Sequence, residues 1–172
     1  MNNKNPLDIT SKYEEYLQLC STYSIPLDRS LIGIDQNIAT QDEAVYKYNI
    51  VVDKIEYITK LIHRKKDAAK EVLNNILTTA NHTHKIDSKF YNYLVDLCVT
   101  YSPNTSLSEC YRKISAVYGV TPKAVLESIL HNLNLYNDII PFFFSDYVST
   151  KSNKVSMSSF MNCMYFYIEK KM

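Results

Sequence analysis

The chain has 172 residues, enough for one well-buried core or two small helical units, and the second arrangement suits it better. Nineteen Lys and Arg stand against eighteen Asp and Glu, so no global field draws the whole chain to nucleic acid or to a membrane, and any DNA binding must come from a local patch. The longest apolar run, Ile139 to Phe144, is interrupted by Pro141 and falls far short of the ~20 residues that span a bilayer. Residues 1–6 lead into polar sequence rather than an apolar signal core. A cytoplasmic protein with no membrane partner is therefore expected. Cys20, Cys98, Cys110 and Cys163 are widely separated and read as reduced core residues.

Only Gly33 and Gly119 are glycine, and apolar residues recur with helical spacing almost throughout, which predicts an all-α chain. Ser11 and Glu14 have capping-box spacing for a first helix with a stripe of Tyr13, Tyr16, Leu17, Cys20 and Tyr23, ending before Pro26. An irregular or single-turn stretch reaches Ala39. Thr40 and Glu43 repeat the capping spacing, and Val45, Tyr48, Val52, Ile55 and Ile62 follow at three- and four-residue steps, with Thr59 breaking the seam. That stripe is the expected dimerisation surface. The run His63 to Asp67 marks either a bend or a solvated stretch of continuous helix before Val72, Leu73, Ile76 and Leu77. A junction near it divides the chain into a helical N-terminal module, 1–68, for self-association or partner sensing, and a second domain, 69–172.

In that domain Phe90, Tyr91, Leu94, Leu97, Cys98 and Tyr101 predict a helix from Asp87 to the Ser102-Pro103-Asn104 turn. Leu107 to Tyr118, Pro122 to Asn134 and Ser158 to Lys170 complete the set. The last of these is apolar almost all round, which suits a core helix or a dimer face.

Tyr111 to Leu130 fits the twenty-residue helix-turn-helix pattern. Ile114 is apolar, Ser115 is small where two helices touch, Gly119 can take a positive φ, Val120 is apolar, and Val125 and Ile129 face inward, held against Ile114 and Val117. Thr121 can cap the second helix, whose first position holds Pro122. An ordinary helical hairpin with a glycine stop has the same local signature. The stretch from Tyr111 to Val125, with His131, resembles the helix-turn-helix in the effector domain of the sporulation master response regulator of endospore-forming bacteria. His84-Lys85-Ile86, Tyr91-x-Tyr93-Leu94, Tyr147-Val148-Ser149-x-Lys151 and Ser159-Phe160 extend the likeness across 69–172.

The resemblance implies a bundle of about six helices that binds double-stranded DNA as a homodimer, with the second helix of the motif in the major groove and a contact to the sigma subunit of RNA polymerase. The residues it offers to DNA are Lys85, Lys89, Arg112, Lys113, Thr121, Lys123, Ala124, Glu127, Ser128 and His131. Two departures stand out. Ala124, Glu127 and Leu130 occupy positions where family members carry arginines, so the family's DNA site does not transfer. The family's phosphorylated receiver domain has no counterpart here, and control by phosphorylation is not expected. Residues 81–172 hold nine Lys and Arg against seven Asp and Glu, a net charge of only +2.

The other chemistries have little to stand on. His82-x-His84 lacks a Cys, Asp or Glu at ligand spacing, so no metal is expected, and the His63 to Lys66 run reads more readily as a solvated helix face than as a phosphate contact. No Gly-rich phosphate loop, nucleophile elbow or paired-carboxylate motif is present, so neither an enzyme nor a cofactor is expected. Two functions remain: a sequence-specific transcription regulator, or a helical protein-interaction module that has lost DNA binding and sequesters a regulatory or host protein.

Overall fold

The computed structural model describes residues 8–80, 87–134 and 156–172. Among them the regular structure is helical: α1 (Ile9–Tyr23), a 3-10 turn (Arg29–Leu31), α2 (Gln41–Ala80), α3 (Ser88–Thr100), α4 (Leu107–Tyr118), α5 (Pro122–Asn134) and α6 (Met157–Lys171). The all-α class thus follows from the amphipathic spacing. The chain divides into two compact units, Met1–His63 and Arg64–Met172, and α2 contributes its first part to one and its last part to the other.

In the first unit α1 is capped by Asp8, whose carboxylate accepts from the Ser11 N–H at 2.9 Å, and not by the expected Ser11–Glu14 pair. Ser24 ends the helix in the left-handed conformation, φ 55°, two residues before Pro26. Its buried side chains are Ile9, Tyr16 and Cys20, a subset of the sequence stripe with Ile9 added. The Tyr16 hydroxyl accepts from the Asp28 N–H at 2.7 Å, and the Asp28 carboxylate meets Lys54 of α2 at 2.7 Å and caps the 3-10 turn through Ser30. These charged contacts hold the Asp28 carboxyl down to about 2, with the Lys54 ammonium the largest cause. The carboxylate form is favoured in the folded state. Its stabilising contribution is therefore complete above the ordinary value near 4 and fades as the pH falls towards 2. Thermal melts from pH 7 to 2 should show Asp28→Asn less stable than the parent at neutrality, the two converging at the acid end. A constant gap across that range would reject the pairing.

The start of α2 uses the expected capping residues. Thr40 Oγ1 accepts from the Glu43 N–H at 3.1 Å, and the Glu43 carboxylate reaches back to the Ala39 N–H at 3.0 Å. With neither Gly nor Pro between Gln41 and Ala80, the helix runs unbroken through His63 to Asp67, so the charged run is continuous helix and not a bend. His63 and Arg64 are exposed, whereas Lys65 pairs with Glu169 at 2.9 Å and Lys66 with Asp96 at 2.7 Å.

The second unit is built around α3, which packs against α4, α5 and α6. Phe90, Leu94 and Leu97 of α3 are fully buried with Ala69, Leu73 and Ile76 of α2, Cys110 and Ile114 of α4, Val125 and Ile129 of α5, and Met161 and Met164 of α6. Polar groups at the edges fix the register. Tyr91 donates to Asn74 of α2 at 2.9 Å, and Tyr101 donates to Asn162 of α6 at 2.7 Å. The last helix is a core helix on its Phe160, Met161, Cys163, Met164 and Ile168 side, leaving Phe166 half exposed. All four cysteines are free and buried, and burial raises their thiols above the ordinary range, Cys110 to about 11. No helix among the described residues is long and apolar enough to cross a membrane.

Candidate nucleic-acid interface

The site is built from α4, three residues of turn, and α5. Ser106 caps α4 by accepting from the Glu109 N–H at 3.2 Å. At the other end Gly119 takes the left-handed conformation, φ 64° and ψ 32°, and both its N–H and that of Val120 return to the Ser115 carbonyl, the latter at 3.1 Å. Thr121 then caps α5, its hydroxyl accepting from the Ala124 N–H at 3.2 Å, and Pro122 fills the first helical position. Each local preference legible in the sequence is realised here.

The packing beneath is equally specific. Ser115 is buried and donates to the Arg112 carbonyl at 2.8 Å, so its small side chain leaves no unpaired hydroxyl. Val125, Ile129 and Leu133 turn α5 inward, with Ile114 buried on α4. Asp96 of α3 anchors the end of α4: its carboxylate accepts from the Tyr118 hydroxyl at 2.6 Å and from Lys66 of α2 at 2.7 Å, and Tyr93 meets the Tyr118 ring edge-on at 4.9 Å. No local motif marks Asp96 in the sequence, because its partners lie 22 and 30 positions away. Burial pushes the Tyr111 hydroxyl up to about 12, so it stays neutral.

Of the residues offered to DNA, Arg112, Thr121, Lys123, Ala124, Glu127 and His131 are exposed on α4, the turn and α5, and Ser128 is half-buried beside them. Lys113 is mostly covered and pairs with Glu109 at 3.1 Å, while Lys123 lies 3.6 Å from Glu127 in an exposed pair. Lys89 is exposed at the start of α3, and neither it nor Arg112 has an ion pair among the described residues. Lys85 lies outside the described residues, as do His82, His84 and the 147–151 segment. Val117 departs from expectation: it is 62 % exposed and does not hold α5 to α4, because α4 buries its Cys110, Tyr111, Ile114 and Ser115 side instead. Val120 and Leu130 are also exposed, at 37 % and 40 %.

The stripe assigned to dimerisation divides as well. Ile62 is buried within the single chain, Tyr48, Val52 and Ile55 are half-buried, and Val45 is exposed. The positions of α2 most deeply buried in the first unit are Val51 and Ile58, seven residues apart and one position off the stripe at 52. No cluster of three or more His, Cys, Asp or Glu suited to a metal occurs among the described residues.

The division into units changes the charge balance. Arg64–Met172 holds thirteen Lys and Arg against nine Asp and Glu, a net charge of +4, whereas Met1–His63 holds six against nine, −3. Basic residues 64–66 and 70 of α2 belong with the unit that carries α4 and α5. No family model, no curated protein and no solved structure matches the chain.

Proposed function

We propose that the second unit is the DNA-binding domain of a transcription regulator, with α5 as a recognition helix in the major groove and α4 crossing the backbone. The observation that carries this reading is the α4-turn-α5 element itself: a left-handed Gly119, a Thr121 cap, a fully buried Val125 and Ile129, and an opposite face open to solvent. A net charge of +4 on this unit, with Arg112 and Lys89 exposed, supplies the local field that phosphate contacts need. The resemblance to the sporulation regulator's effector domain supports the same assignment. With it comes action as a homodimer on double-stranded DNA in the cytoplasm and contact with the polymerase sigma subunit.

A second reading, a protein-interaction module, draws on the solvent-exposed Val117, Val120 and Leu130 and on the internal pairing of Lys113 with Glu109. Fluorescence anisotropy with labelled duplexes separates the two. Lys123→Glu should weaken binding at every sequence and lower the slope of log affinity against log salt by about 1. Glu127→Ala should instead change base preference, by roughly 1–3 kcal/mol of discrimination at one position. Absence of salt-dependent binding to any duplex, or unchanged binding by Lys123→Glu, would transfer the site to the protein-interaction reading.

A further inference from the structure

The outward stripe of α5 is made of Ala124, Glu127 and Leu130, each three residues after the last and so about 4.5 Å further along the helix axis. All three are exposed, Leu130 at 40 %, and Val120, in the turn that precedes α5, is exposed at 37 %. The first two turns of the helix carry no Arg, Asn or Gln. Guanine is read through its N7 and O6 by the fork of Arg or by Lys, and adenine by the amide of Asn or Gln. The only exposed cation in these turns, Lys123, lies 3.6 Å from the Glu127 carboxylate. Two base-reading chemistries remain to this stripe: apolar contact with the C5-methyl of thymine, and a carboxylate accepting from the N4 amine of cytosine.

We propose that α5 recognises duplex DNA through thymine methyl groups, with Ala124 and Leu130 each against a methyl and Glu127 on a cytosine amine between them. The inference rests on the DNA-binding reading above and names its target class: a thymine-rich site with a C·G pair, read with no contact to a guanine edge. It also gives a use to apolar side chains that the fold leaves in water, since a major groove lined with methyls removes them from it. Phosphate neutralisation then falls to Lys123, Arg112 and Lys89, which lie outside the stripe.

The test is selection of binding sites by the full chain from a random duplex library, followed by anisotropy titrations on the enriched site. Single thymines are replaced by deoxyuridine, which deletes one methyl and leaves pairing and charge unchanged. The enriched site should contain thymines whose replacement costs about fourfold in affinity per methyl. Leu130→Ala, at an exposed position that tolerates truncation, should abolish the penalty at one thymine and leave the others. Salt-dependent binding with no deoxyuridine effect, or a selected site read through guanine, overturns the methyl readout and leaves the DNA-binding reading standing. Failure to enrich or bind any duplex overturns both, and the same apolar stripe then belongs to a protein partner.

Discussion

Phe90→Ala should cost the second unit about 3–5 kcal/mol, the range for deleting a fully buried aromatic ring. Phe90 is fully buried on α3, the helix that packs against α4, α5 and α6, so the void opens at the centre of the unit and not at an edge that can collapse. A domain whose total stability is ~5–15 kcal/mol loses a large share of it. Phe166→Ala is the matched control: the same ring is removed from a half-exposed site on α6, and the change should stay below about 1 kcal/mol. Equilibrium urea unfolding followed by circular dichroism measures both. Equal losses for the two variants would mean that α3 is not the centre of the core. On the proposed reading, DNA affinity should follow folded fraction for Phe90→Ala, because its side chain is fully buried and is not part of the interface.

The second large effect is expected at Gly119. A Cβ placed there meets no atom within 4 Å, so crowding contributes nothing and the cost is set by the backbone alone, φ 64°. For a residue with a side chain the left-handed region costs ~1–3 kcal/mol, least for Asn and most for a β-branched residue. Unfolding midpoints should therefore fall in the order Gly, Asn, Ala, Val. A Val variant as stable as the parent would show that the turn can be made another way. Gly119 sets where α5 starts relative to α4, so on the proposed DNA-binding reading a folded Ala variant should bind duplex as the parent does, and a Val variant should lose affinity beyond what its folded fraction explains.

Local chemistry made much of the second unit legible in advance. The end of α4 and the start of α5 follow from a glycine stop, a threonine cap and a first-position proline, all of which act within four residues, while the Ser106 cap of α4 came from the structure. The start of α2 was legible from its capping box and apolar stripe, but spacing left open whether His63 to Asp67 bends the helix, and it left open which of two caps starts α1. Asp8 took that place from Ser11.

What only the tertiary structure decided is which side of each helix faces its neighbours. Val117 fits an inward position by period, yet the direction in which α4 packs on α3 and α5 leaves it in solvent, and the same choice turns Val51 and Ile58 inward where the sequence stripe favoured Val52 and Ile55. A shift of one residue is 100° on a helix, enough to exchange core and surface, and the apolar residues flanking such a stripe are too numerous for period alone to choose. The Lys66–Asp96–Tyr118 contacts were equally beyond reach, since they join three helices distant in sequence and exist only because packing brings them within 2.7 Å.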